Sequence, residues 1–152
     1  MKTLGLRVSP TEVTFSIYET ESQTVVNVEE IRVPNSLNTP EKLKYIRSTL
    51  LDVLREYEVQ KAGIRLTEPT ARSFSIDRVQ IEGVIQETFA SSMLLAYYQG
   101  AIATIAAKIN VPKASMKDLI AGRKIFHEFE DWGTLNDKQR EAVLVAVGAE
   151  NV

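Results

Sequence analysis

The chain has 152 residues, 44% hydrophobic and 25% charged, enough for one domain with a packed core and ordinary for a globular protein. Basic residues number 18 and acidic residues 20, so a net charge of −2 supplies no global positive field for nucleic acid. Cysteine is absent, which excludes disulfides, zinc–thiolate sites and thiol nucleophiles.

In chain order, Leu4, Leu6 and Val8 alternate with other residues and predict a strand, with Arg7 pointing away from their apolar face. Ser9–Glu12 reads as a turn. Val13, Phe15 and Ile17 alternate with Thr14, Ser16 and Tyr18 in a second strand. Glu19–Thr24 is a polar turn, and Val25–Val33 a third strand with a bulge expected at Glu29–Glu30. Short links between the three predict an antiparallel meander.

Thr39 as N-cap and Pro40 as first helical residue open a helix over 41–57, with Leu43, Ile46, Leu50, Leu51 and Leu54 on one face. Ala62–Leu66 reads as a strand parallel to the first. Ile76–Ala90 is a second amphipathic helix, capped by Ser75 or Asp77. Met93–Tyr98 either continues that helix or, after a break at Ser91–Ser92, forms a strand, and the strand is preferred. Helices follow at Ala101–Ile109 and Pro112–Ile120, the latter ended by Gly122. His127–Thr134 is a loop carrying Trp132, and Asn136 caps a last helix, Asp137–Ala149.

Three strands, helix, strand, helix, strand, then helices is the order of an α/β RNase H-like fold. That fold has a mixed five-stranded sheet, three strands antiparallel and two parallel, flanked by helices. No internal repeat or linker divides the chain, so residues 1–152 are expected to form one such domain. The N-terminal M-K-T-L-G-L lacks a long apolar core and a small-residue cleavage site. No apolar run approaches the roughly 20 residues that cross a bilayer. A cytoplasmic protein with no membrane partner is the expectation.

Three stretches carry a family resemblance. L-G-L-R-V-S-P-T-E-V-T-F-S-I resembles the opening strand pair of RuvC-type Holliday-junction resolvases. E-G-V-I-Q-E-T-F-A-S-S-M-L-L-A-Y-Y-Q-G-A-I-A-T-I-A-A-K-I resembles their helix–strand–helix after the fourth strand, and D-K-Q-R-E-A-V-L-V-A-V their last helix. The resemblance implies four carboxylates holding two divalent metals that activate water for phosphodiester cleavage. They come from the first strand, the end of the fourth and, twice, the last helix.

This chain departs from that pattern. The first-strand position is Arg7, and the fourth-strand position falls on Arg65, with Glu68 three residues on. The earlier helix acid falls near Lys138, leaving Glu141 as the one retained carboxylate. Glu68 and Glu141 are therefore remnant candidates, and no metal is expected. Arg7 and Arg65 form either an anion-binding centre, since arginine offers a planar fork of donors, or an Arg–Glu network that replaced the site.

Other candidates are weaker. Lys108, Lys113, Lys117, Arg123 and Lys124 make a locally basic stretch broken only by Asp118, a candidate nucleic-acid surface or a solvated face. H-E-F-E-D at 127–131 reads as a loop before it reads as a metal site. Trp132 is a partner anchor or packs over the sheet. No GxxxxGK or GxGxxG motif is present.

The expected function is a catalytically degenerate binding module for nucleic acid or a protein partner. A homodimer through the helix at 41–57 or 76–90 is a further expectation. No cofactor is expected on this reading. The alternatives are a nuclease using Mg²⁺ or Mn²⁺ with displaced acids such as Glu12, Glu82 or Asp137, and a structural subunit of a larger complex.

Overall fold

A computed structural model describes all 152 residues. Strands β1 (Lys2–Val8), β2 (Glu12–Glu19) and β3 (Thr24–Arg32) form the antiparallel meander. Helix α1 (Thr39–Glu56) crosses to β4 (Val59–Arg65), which pairs parallel with β1. Helix α2 (Ile76–Ser91) crosses to β5 (Ala96–Gly100), parallel to β4. Helices α3 (Ile102–Lys108), α4 (Lys113–Ile120) and α5 (Asp137–Gly148) complete the chain. The sheet order is β3-β2-β1-β4-β5, the mixed five-stranded arrangement anticipated from the pattern.

The sheet is covered on both faces. Leu4, Leu6 and Val8 pack with Phe15, Ile17 and Ile64 beneath α1 and α2. Thr3, Gly5 and Arg7 point the other way, toward α5. Gly5 is required there: a Cβ would overlap the Ala142 carbonyl oxygen and the Ala146 amide nitrogen. The absent side chain lets α5 lie directly on β1, where Thr3 Oγ1 donates to the Ala146 carbonyl at 2.6 Å. Every residue of α5 from Arg140 to Gly148 is buried, because the sheet lies beneath and α3 and α4 pack over it. That enclosure accounts for the unbroken apolar run Ala142–Val147.

Several boundaries shift from expectation. Asn38, rather than Thr39, is the N-cap of α1, in a reciprocal capping box with Glu41; Pro40 stays within the first turn. The irregularity in β3 faces Ile17–Tyr18, where the register slips past Val26, and Glu29–Glu30 pair regularly with Phe15 and Thr14. The strand expected at 93–98 begins at Ala96. Ser92 ends α2 by returning both its amide and its hydroxyl to the Phe89 carbonyl, and Met93 and Leu94 precede the point where Leu95 N–H reaches the Gln60 carbonyl. Trp132 packs against Phe126 and Phe129 and donates its indole N–H to the Leu119 carbonyl at 3.0 Å, in the cluster that α4 and α5 form with Tyr18, Val25 and Val28 of the sheet. No helix is long and apolar enough to cross a membrane.

Candidate functional site

The C-terminal ends of β1 and β4 lie side by side, with Arg7 paired directly to Arg65 in the parallel register. Both side chains rise on the α5 face, the pleat after Gly5 and Gly63. Because α5 rests on Gly5, the start of its second turn brings Glu141 over both. Arg7 Nε donates to Glu141 Oε2 at 2.7 Å, and Arg65 Nε to Glu141 Oε1 at 3.1 Å. One carboxylate thus bridges two guanidiniums. The side chains retain 7% exposure for Glu141, 9% for Arg65 and 15% for Arg7, so water screens the charges little. Each arginine also donates Nη1 to the carbonyl of the following residue, Val8 or Leu66.

Glu68 extends the network. Its Oε1 lies 3.4 Å from Arg65 Nη2 and accepts the Ile102 N–H at 3.0 Å. That bond satisfies an amide in the first turn of α3, where Ala101 supplies no side-chain cap. The four residues singled out from the sequence, Arg7, Arg65, Glu68 and Glu141, therefore meet at one end of the sheet.

Two further charges belong here. Glu82, buried on α2, accepts the Thr67 backbone N–H at 3.1 Å, the Thr67 hydroxyl at 2.9 Å and Arg78 Nε at 2.8 Å. Burial, and next the positive charge of Arg7, hold Arg78 below the ordinary arginine pKa, against the pull of Glu82. Arg78 Nη2 is buried without a hydrogen-bond partner. Glu82 entered the sequence reading only as a displaced acid, and Arg78 did not enter it. The legible signal was a carboxylate among inward positions of α2, beside Ile81 and Ile85 and four residues after an arginine.

The remaining candidates stay apart. Lys108 lies over the Tyr98 ring, 5.9 Å from its centroid. Arg123 Nε donates to Asp118 at 2.8 Å, and that arginine, with Lys124 and Lys117, holds the Asp118 carboxyl below its ordinary pKa. Glu12 begins β2 opposite Arg32, and Asp137 pairs with Arg140. His127 packs edge-on against Phe126, and no group of three or more His, Cys, Asp or Glu side chains converges, so H-E-F-E-D is not a ligand cluster. Arg140, not anticipated, ties α4 to α5 by donating to the carbonyls of Ile120, Trp132 and Leu135.

The donor set does not fit a pair of divalent metals. Mg²⁺ or Mn²⁺ needs several oxygen ligands. Here both Glu141 oxygens already accept an arginine Nε, and two fixed positive charges occupy the strand ends.

The order of strands, the α5 crossing and the paired strand ends define an RNase H-like fold. Within that class the chain has the RuvC fold. It is similar to RuvC of Thermus thermophilus, at 11% identity and a TM-score of 0.69, covering 97% of this chain and 92% of that one. A structure of T. thermophilus RuvC in complex with a Holliday-junction substrate matches at 11% identity and TM-score 0.70, over 97% and 91% of the two chains. The yeast mitochondrial Holliday-junction resolvase matches at 14% identity and TM-score 0.57, over 96% and 77%. No protein-family model and no curated protein matches the chain.

Proposed function

We propose that this chain is a non-cleaving RuvC-like module that binds nucleic acid. The carrying observation is Glu141 held between Arg7 and Arg65, which engages the one carboxylate standing where the resemblance implies metal ligands. Nucleic acid as partner is supported by the fold shared with T. thermophilus RuvC, which has been seen with a Holliday-junction substrate. It is also supported by the basic run Lys108, Lys113, Lys117, Arg123 and Lys124, which would neutralise phosphates without reading sequence. Arg7 and Arg65 then act as a structural pair and not as the anion-binding centre, since Glu68 and Glu141 neutralise them.

The test is fluorescence anisotropy with four-way-junction, duplex and single-stranded DNA across a salt series, run with and without Mg²⁺ or Mn²⁺. Binding without cleavage is expected. Lys113→Ala and Lys117→Ala should each reduce the salt slope by about 1. Metal-dependent cleavage that Glu141→Ala abolishes would refute the reading. Absence of binding at low salt would favour a structural subunit instead.

A further inference from the structure

The sheet has two edges of different kinds. β5 is a five-residue edge, the short kind that resists further pairing. β3 is nine residues long, holds no proline or lysine, and has no strand on its outer side. Its register shows which backbone groups are left over. Val33 N–H donates to the Thr11 carbonyl, one step beyond the Glu12–Arg32 pair. Hydrogen-bonded pairs alternate along an antiparallel ladder, so Asn27, Glu29 and Ile31 bond inward to β2. Val28, Glu30 and Arg32 therefore turn their N–H and C=O groups outward. Beside Gln23–Val28 runs a groove of about 670 Å³, walled on its far side by the segment 127–135. Val28, Phe129 and Leu135 give it an apolar lining. The far wall is fixed in place, because Phe129 stacks on Trp132 and Trp132 donates to the Leu119 carbonyl.

Charge decides what fits there. Glu128, Glu130 and Asp131 line the groove, and no lysine or arginine does. Glu29 and Glu30 add two carboxylates on the strand itself. None of the five has an ion-pair partner, since every ion pair of the chain lies elsewhere. Glu30 accepts a neutral amide N–H, from Gln139 at 3.2 Å. Arg32, at the far end, is the one base on the strand. We propose that β3 accepts an extended, basic segment of another protein as an added strand. The outward groups of Val28, Glu30 and Arg32 hold its backbone, alternate side chains enter the groove, and its Lys or Arg residues meet the carboxylates. A second copy of β3 does not fit, because antiparallel pairing about Glu29 or Glu30 sets like carboxylates opposite each other. The same charges repel phosphate, which separates this surface from the basic run at 108–124. The nucleic-acid reading plays no part in this docking site.

The test uses the full chain and a labelled peptide of about ten residues alternating Lys and Val, followed by amide hydrogen exchange and fluorescence anisotropy. In the free chain, Glu29 and Ile31 N–H should be protected and those of Val28, Glu30 and Arg32 should exchange freely. The peptide should slow exchange at these three at least tenfold. A peptide alternating Glu and Val should leave them unchanged. Two N-methylated versions, one at the lysines and one at the valines, keep the charge and each block one edge of the peptide. At least one of them should bind tenfold or more weakly than its parent. Glu128→Lys with Glu130→Lys, both exposed, should weaken the basic peptide at least tenfold and leave the melting temperature that of the parent. No slowing at about 1 mM peptide would overturn the proposal. Full affinity in both N-methylated versions would also overturn it, as charge attraction without strand pairing. Protection of the three amides already in the free chain would give the edge to a second copy, and protection by four-way-junction DNA in place of the peptide would give it to nucleic acid; either overturns it.

Discussion

Replacing Glu141 by glutamine tests whether the Arg7–Glu141–Arg65 triad is an internally balanced unit. The amide keeps the shape of the carboxylate but loses its charge, and it turns a donor toward one of the two guanidiniums. Arg7 then keeps its burial with no carboxylate partner, and Arg65 is left with Glu68 alone. Removing one partner of a buried pair costs about 3–5 kcal/mol. Arg7 retains some access to water, which favours the lower figure, about 3 kcal/mol. For a chain of this size each kcal/mol shifts Tm by about 2–4 °C, so a fall of about 6–12 °C is expected by calorimetry. The triple variant Arg7→Leu, Arg65→Leu, Glu141→Leu removes all three charges together. It should lose less stability than Glu141→Gln alone, because a buried ion network exchanges for apolar residues near neutrality. A Tm change under about 2 °C for Glu141→Gln, or a triple variant as unstable as the sum of its single changes, would refute the balanced-unit reasoning.

Acids at the two strand ends should create a metal site: Arg7→Asp with Arg65→Glu is expected to gain thermal stabilisation from Mg²⁺ or Mn²⁺ beyond that of the parent chain, read by a metal titration of Tm. Gly5→Ala should cost on the order of 3 kcal/mol or more, because its Cβ meets the α5 backbone and not a flexible side chain; denaturant midpoints measure it. Burial pushes the Tyr98 phenol pKa well above its ordinary value. Its contribution to stability is therefore whole below about pH 10 and lost as pH rises from there toward the folded-state pKa. Tyr98→Phe removes the hydroxyl's 2.9 Å bond to the Val145 carbonyl, should cost about 1 kcal/mol at neutral pH, and should flatten the alkaline loss, measured by urea melts across pH.

The sequence by itself determined the elements and their order. Period-2 alternation marked β1, β2 and β3, period-3.6 alternation marked α1, and capping residues placed the start of α5 at Asn136 and that of α2 at Ser75 or Asp77, of which the fold uses Ser75. These signals are local, so a window of residues carries them. It also placed Arg7 and Arg65 on their strands, and the RNase H-like order of elements made those strands neighbours. Tertiary structure alone decided what the arginines touch. Glu141 is distant in sequence from both, and its position depends on α5 resting on Gly5, a contact that exists only once helix and sheet are packed. Arg78 and Glu82 stayed hidden for the same reason: an i,i+4 pair reads as a solvated surface pair until the β4–α2 loop folds Thr67 onto it.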